Sequence, residues 1–320
     1  MIVVTGGAGF IGSNLVWQLN HQGEHDLVVV DRLDSPTKHM NLNRLQFVDL
    51  IDPDDHAAVD RCCIAASGIA ASGIVHLGAC TDTTETDGRL MMDTNYVYAR
   101  RLVHLALEHQ IPLVYASSAA VYGDGEQGFV ERRRCEFPLN LYAFSKLMLD
   151  NHVRHLLAGG AHSPVVGLRY FNVYGPQEQH KGRMASVVLH FHRQLQQHGE
   201  IRLFEGSRDF LRDFVHVDDV VRVTLWALRK QVSGVFNCGT GQAHSFHDIA
   251  CIMQRRVRGT PPIRFVEFPD ELRGKYQRYT QADLGALRQA GYDGDFTPLE
   301  QGVARYHAML TQADGYLPPP

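Results

Sequence analysis

The chain has 320 residues, 44% of them hydrophobic and 21% charged, with a formal net charge of -4 at pH 7. That is enough for one large core or two domains. The weak negative balance excludes the electrostatic footprint of a nucleic-acid or anionic-membrane protein. No stretch is long and apolar enough to span a bilayer, and Met1 leads into Ile2-Val3-Val4 without a basic leader. The six cysteines (Cys62, Cys63, Cys80, Cys135, Cys238 and Cys251) contain no C-x-x-C pair. They read as free thiols in a reducing cytoplasm.

Residues 1 to 31 read as one β-α-β unit. Met1 to Thr5 is a short strand, Phe10 to Asn20 has helical apolar spacing, and Leu27 to Val30 is a second strand ending at Asp31. Between strand and helix, Gly6, Gly9 and Gly12 form G-x-x-G-x-x-G, tighter than the usual dinucleotide spacing. Glycine is needed there because the turn bends sharply and the backbone approaches a pyrophosphate at the helix N-terminus. Asp31 suits a ribose 2′-hydroxyl and hence NAD. Arg32 and Lys38 could instead hold a 2′-phosphate, which favours NADP, or be solvated loop charges.

From Asp49 to Ala70 the spacing predicts a helix of irregular polarity, leading into a buried strand at Gly73 to Leu77. The small residues Gly78-Ala79-Cys80 would let a cofactor pass over the strand's end, and Cys80 reads as a packing residue. Met91 to His109 is a predicted helix carrying Asn95, and Ile111 to Ala116 a further strand. That strand runs into Ser117-Ser118, where a hydroxyl faces the crevice in which open α/β sheets bind ligands. Ser118 is therefore a candidate partner for a substrate hydroxyl, the alternative being a turn or cap serine. Arg132-Arg133-Arg134 reads as a solvated loop face.

Leu141 to Lys146 is the most informative stretch. On a helix, Tyr142 and Lys146 share one face. A phenol titrates near ~10 unaided, and an ammonium beside it favours the phenolate. The pair suits moving a proton on or off an alcohol. Beyond it, strands are predicted at Phe214 to Val217, Val235 to Asn237 and Ile263 to Phe268. Helices are predicted at Asp218 to Lys230, Ser245 to Val257, Asp283 to Ala290 and Pro298 to Leu310, and Leu317 to Pro320 reads as a frayed tail. The histidines make no metal-binding spacing, and His190 and His192 read as surface residues of a helix.

Gly6-x-x-Gly9-x-x-Gly12, Asp31, Ser118, Tyr142-x-x-x-Lys146 and Arg169-Tyr170-Phe171-Asn172-Val173-Tyr174-Gly175-Pro176 together resemble the extended short-chain dehydrogenase/reductase (NAD-dependent epimerase/dehydratase) family. The resemblance implies a Rossmann-type doubly wound parallel α/β sheet with a smaller α/β substrate-binding domain. The implied division is discontinuous, with 1–170 and 214–242 in the nucleotide domain and 171–213 and 243–320 in the other. It also implies that Tyr142 is the acid/base, that Lys146 lowers its pKa and binds the nicotinamide ribose, and that Ser118 steadies the reacting oxygen. Cofactor contacts carry over to Phe10, Ile11, Leu77, Gly78, Ala79, Cys80 and Val173.

Several stretches are similar to one branch of that family, the epimerases acting at the exocyclic C6 of an ADP-linked heptose used in the lipopolysaccharide inner core. They include Thr83-Thr84-Glu85, His180-Lys181-Gly182, Met184 to Val187, Leu203 to Ser207, Arg212 to Val215 and Tyr279 to Leu284. This implies bound NADP, a homopentamer, a second base at Lys181, and substrate contacts at Ser118, Asn172, Arg183, His190, Phe204, Glu205, Gly206, Ser207, Arg212 and Tyr276. Arg183 stands where close relatives often carry serine, and Pro53 where a lysine assisting the cofactor is expected.

Inverting a secondary alcohol through a ketone needs two hydride steps with the oxygen pointing in two directions, so two acid/base groups fit better than one. Lys181 has a rival role as a phosphate contact. Arg212 suits a diphosphate, the alternative being an ion pair with Asp213 or Asp209. A 4,6-dehydratase would carry an Asp-Glu pair where this chain has Ala119-Ala120. A UDP-hexose 4-epimerase shares the Ser/Tyr/Lys set, and a sensor that has lost catalysis would lack Tyr142 or Lys146.

Overall fold

The computed structural model describes residues 1–64, 71–230, 232–268 and 277–320. Strands and helices alternate through the first half as β1 (Ile2–Thr5), α1 (Phe10–His21), β2 (Leu27–Val30), β3 (Asp49–Ile51), α2 (His56–Cys63), β4 (Gly73–His76), α3 (Gly88–Met92), α4 (Tyr98–Glu108), β5 (Leu113–Ser118), α5 (Leu141–Ala158) and β6 (Val165–Tyr170). There follow β7 (Asn172–Tyr174), α6 (Val187–His198), β8 (Ile201–Phe204), β9 (Leu211–His216), α7 (Val217–Lys230) and β10 (Gly234–Cys238). The last elements are β11 (Ala243–Ser245), α8 (Phe246–Gln254), β12 (Ile263–Val266), α9 (Gly285–Gln289) and α10 (Leu299–Ala313).

Among the described residues, seven strands form one sheet in the order β10-β6-β5-β4-β1-β2-β3, and every pairing is parallel. Buried on both faces, its strands read as nearly continuous valine, isoleucine and leucine runs. Side chains alternate across the sheet. Val4, Val29, Val75, Val114 and Val166 pack with Leu15 and Leu19 of α1 and Val220 and Val223 of α7. Val3, Val28, Ile74, Leu113 and Val165 pack with Val59 of α2, Leu102 of α4 and Leu149 of α5 on the other side. Each such side chain contributes ~1.5–3 kcal/mol on burial, so the two faces outweigh any single polar contact in holding the sheet. The strand order reverses between β1 and β4, and ligand crevices in such sheets open at the carboxyl ends there.

A separate core lies beyond the sheet, where Val188 and Phe191 of α6, Ile201 and Leu203 of β8, Ile249 and Met253 of α8, and Val303 and Tyr306 of α10 pack together. Beside it β9 pairs with β11 and β7, and β12 with β8.

Four local expectations are corrected. Asp49 to Ile51 pairs with β2 as an edge strand, and helix begins only at His56, capped by Asp55 accepting from Ala58 N at 2.9 Å. Three residues are too few to show a period of two; the remainder of that predicted helix, at 65–70, lies outside the described residues. The predicted Met91 helix starts earlier, at Gly88, where the Asp87 carboxylate accepts the Arg89 and Leu90 N–H groups, and widens by one turn at Asp93–Val97. His192 is buried, its Nδ1 3.4 Å from that of His307. The carboxyl-terminal tail is docked, because Trp17 Nε1 donates to Pro318 O at 2.8 Å, Arg44 donates to Leu317 O at 2.9 Å, and Leu317 is buried.

Two buried imidazoles make the fold acid-sensitive. Burial, aided by the Lys146 charge, pulls His76 down to about 3, and burial with Arg305 pulls His216 down to about 3. The unfolded imidazole takes a proton near ~6.5, so the unfolded chain binds more protons through that window and stability falls as pH falls. Urea unfolding at about pH 7 and about pH 5 should show lower stability at the acid value, with a smaller loss in His76→Gln. Stability unchanged or higher at the acid value would contradict this.

Candidate active site

The crevice is built outward from the turn after β1. Gly6 has φ +70°, and a Cβ there would lie 2.5 Å from Gly78 N; one on Gly12 would lie 2.1 Å from Gly6 O. No side chain caps α1 at Gly9, so its first N–H groups point outward with the positive end of the helix dipole. The Asp31 carboxylate closes the turn by accepting from Ala8 N at 2.8 Å and pairs with Lys38 Nζ at 2.8 Å. Arg32 turns away onto Asp54 and Asp52, the residues flanking Pro53. This cradle fits the diphosphate of a dinucleotide.

Across the crevice, α5 starts at Asn140, whose side chain caps Ala143 N at 2.8 Å. Tyr142, Lys146 and Asp150 follow at intervals of four along one face. Asp150 is fully buried and accepts from Tyr115 OH (3.0 Å), Ser117 Oγ (3.0 Å) and Arg169 Nε (2.8 Å). Arg169 also reaches Glu136 at 2.6 Å, and Arg154 reaches the same carboxylate at 2.7 Å. One turn up, Lys146 Nζ donates to Ala116 O at 2.9 Å. At the top of the face the Tyr142 hydroxyl meets Ser118, which also caps Ala120 N at 3.1 Å. Ser118 is thus both a cap and a partner of the tyrosine.

Desolvation pushes the Tyr142 phenol up, while the Ser118 hydrogen bond pulls it down. The depression expected from Lys146 is not produced by the protein alone. The ammonium sits 5.9 Å from the ring centroid and bonds to Ala116, and burial draws its own pKa down to about 8.

Asn95, on the widened turn, clamps the loop after β4. It accepts from Cys80 N at 2.8 Å, donates to Cys80 O at 2.9 Å, and donates to Ser145 Oγ at 3.1 Å. That joins Leu77-Gly78-Ala79-Cys80 to the tyrosine's helix.

Lys181 lies on the nucleotide side, its Nζ 4.8 Å above the Phe10 ring and 4.0 Å from Glu178 Oε2. Asn41 ties this segment to the glycine turn, donating to Ala8 O at 3.0 Å and lying 3.2 Å from His180 Nδ1. Arg183 forms an ion pair with Asp82 at 2.5 Å and a hydrogen bond to Thr84 at 2.8 Å. Segment 178–186 therefore bridges the loops after β1 and β4.

The remaining predicted contacts lie farther along. Asn172 is exposed at the start of β7 beside half-buried Val173, and His190 Nε2 is 3.2 Å from Arg183 O. Phe204 is 37% exposed at the end of β8, Glu205 N bonds Val266 O at 2.8 Å, Gly206 has φ +84°, and the Ser207 hydroxyl donates to Phe204 O. Arg212 donates to Leu211 O at 2.9 Å and to Gln277 O, and Gln277 donates to Gly123 O. The ion-pair alternative with Asp213 fails, because neighbours on a strand face opposite ways. Asp213 instead accepts from Thr240 N, Gly241 N and Ala282 N. Tyr276 lies outside the described residues.

Residues 2–239 match the profile described as the NAD dependent epimerase/dehydratase family. The chain belongs to that family. A relative from Brachyspira hyodysenteriae, named ADP-L-glycero-D-manno-heptose-6-epimerase, is 51% identical over 319 residues, covering 99% of this chain and 100% of that protein. The crystal structure of Helicobacter pylori ADP-L-glycero-D-manno-heptose-6-epimerase superposes with TM-score 0.83 at 30% identity, over 97% of this chain and 96% of that one. A Thermotoga maritima UDP-glucose 4-epimerase, solved with UDP-glucose, gives TM-score 0.80 at 25% identity over 97% and 98%. A nicotinamide cofactor follows from family membership.

Asp150, Glu136 and Glu178 were missed in the sequence, and Arg169 was read only as part of a family motif, without a role. Asp150 was findable, being the next residue on the Tyr142–Lys146 face, and Arg169 is a charge inside the apolar run Val165 to Tyr170. Arg169→Met leaves two buried carboxylates without their shared cation, and urea unfolding should show a loss of ~3–5 kcal/mol. A loss below ~1 kcal/mol would show that the network is not holding α5.

Proposed function

We propose that this chain is an ADP-glyceromanno-heptose 6-epimerase that interconverts ADP-D-glycero-β-D-manno-heptose and ADP-L-glycero-β-D-manno-heptose at C6, supplying lipopolysaccharide inner-core synthesis. The observation that carries the reaction type is the Tyr142 hydroxyl on Ser118 with Lys146 buried one turn below. The substrate rests on the full-length half-identity to the Brachyspira protein. Gly6, Gly9, Phe10, Ile11, Gly12 and Asp31 would hold the dinucleotide, with Leu77 to Cys80, Lys146 and Val173 beside it. When bound, the cofactor would take hydride from C6 and return it to the opposite face. Lys38, already at Asp31, favours NADP over NAD, and Arg32 would join it only by leaving Asp52 and Asp54.

Ser118 and Tyr142 hold the C6 oxygen, and Tyr142 takes its proton as the carbon becomes a ketone. The exocyclic carbon then turns, presenting its other face. Lys181 gives a proton to the oxygen in its new direction. Desolvation lowers the Lys181 pKa against the pull of Glu178, which suits a group that must release a proton. Arg212 would pair with the diphosphate, with Asn172, Arg183, His190, Phe204, Glu205, Gly206, Ser207 and Tyr276 lining the sugar nucleotide. The same reading extends to the division into 1–170 with 214–242 and 171–213 with 243–320, and to a cytoplasmic homopentamer. Among the described residues, no helix is long and apolar enough to cross a membrane.

The test is mass spectrometry of the dinucleotide released on denaturation, with NMR of the protein incubated with ADP-D-glycero-β-D-manno-heptose. NADP and conversion to the L-glycero epimer are expected, and Tyr142→Phe should slow conversion by about 10²–10⁴-fold. Turnover of UDP-glucose without turnover of ADP-heptose would overturn the substrate assignment.

A further inference from the structure

We infer that Glu178 is the positioning residue for Lys181, fixing the loop that presents it and holding its ammonium in the charged form between turnovers. The inference rests on the proposal that Lys181 is an acid/base group. Glu178 is fully buried, in a segment whose sequence Gln177-Glu178-Gln179 gives no sign of it. Its carboxylate spans both ends of the lysine's loop. Oε2 accepts from Ser186 N at 2.7 Å, Oε1 accepts from the Ser186 hydroxyl, and the Tyr306 hydroxyl on α10 donates to Oε1 at 3.0 Å. Within that clasp Lys181 N donates to Glu178 O at 3.1 Å, and the chain turns at Gly182 with φ +53°. A buried carboxylate with three donors and an amine 4.0 Å away cannot be replaced by water without loosening the loop.

The second consequence is electrostatic. Lys181 has two partners for its charge, Glu178 and the face of Phe10. Desolvation pushes Lys181 down and Glu178 up, and their mutual attraction opposes both. Facing Glu178 are Lys181, Ser186 and Tyr306; facing Tyr306 is Arg193 of α6; and His180 beside the lysine is held neutral by burial and by Lys38 and Lys181, against Asp34. Asp34 acts on His180, and Glu178 is the carboxylate that acts on Lys181. With Glu178 gone, the charged amine loses its counter-ion and the free amine is favoured.

The experiment follows the amine itself, so it does not depend on the substrate assignment. Reductive methylation of Lys181 by formaldehyde and cyanoborohydride is followed across pH by peptide mass spectrometry, in wild type and Glu178→Gln. The onset of reactivity is expected to move about one pH unit lower in Glu178→Gln, roughly a tenfold gain in free amine at a given pH. Glu178→Asp should restore part of the wild-type profile. An unchanged profile in Glu178→Gln whose circular dichroism matches wild type would overturn the inference. Should Glu178→Gln not fold, Tyr306→Phe decides, with a smaller shift in the same direction supporting it and no shift overturning it. Wild-type failure to turn over ADP-heptose would instead strike the proposed function and leave this titration readable.

Discussion

The structure depends on how one helix is pinned to one strand. Asp150 accepts from Tyr115 and Ser117 on β5 and from Arg169 on β6, all inside the sheet's packed face. Because a helix repeats a face every three to four residues, fixing Asp150 also fixes Lys146 and Tyr142 above it. Lys146 then falls on Ala116 O and Tyr142 on Ser118, both at the carboxyl end of β5. A buried ionic network is a doubtful source of stability, since desolvation offsets much of its attraction. Its use here is to define register, placing a phenol on a hydroxyl at the mouth of the sheet.

The cleft's two sides reach that geometry by different means. On the α5 side, buried charge and the Asn95 clamp hold the helix and the loop after β4 together. On the nucleotide side the backbone does the work, since Gly6 and Gly12 leave no room for a Cβ and Asp31 pins Ala8 N. The 178–186 segment joins the two, with Lys181 over Phe10 and Arg183 on Asp82 and Thr84. Lys38 pairs with Asp31 after β2, so the acidic residue beside the glycine turn carries a counter-ion.

Much of this was legible in the residues. Strands buried on both faces declare themselves as valine-rich runs, so β1, β2, β4 and β5 were readable, as was the glycine turn, while β6 was passed over although it is a run of the same kind. The tyrosine and lysine were readable because their spacing carries the chemistry. Three-residue strands such as Asp49–Ile51 and Asn172–Tyr174 were not, having no periodicity to show. The proline tail looked frayed because its partners, Trp17 and Arg44, lie at the other end of the chain. Glu178 was invisible for the same reason, since one of its partners, Tyr306, lies far along the chain on α10. The sign of the Tyr142 shift was missed because spacing shows a cation nearby but not the burial that desolvates the phenol.

The central claim is that the pinned helix seats the Tyr142 phenol on Ser118. The most direct test is a phenolate absorbance titration of residue 142, taken as the difference between each protein and its Tyr142→Phe counterpart, in wild type and in Ser118→Ala. The account predicts that the phenol titrates at higher pH in Ser118→Ala, because the hydrogen bond that favours its ionised form is gone. Superimposable titrations in the two folded proteins would contradict it.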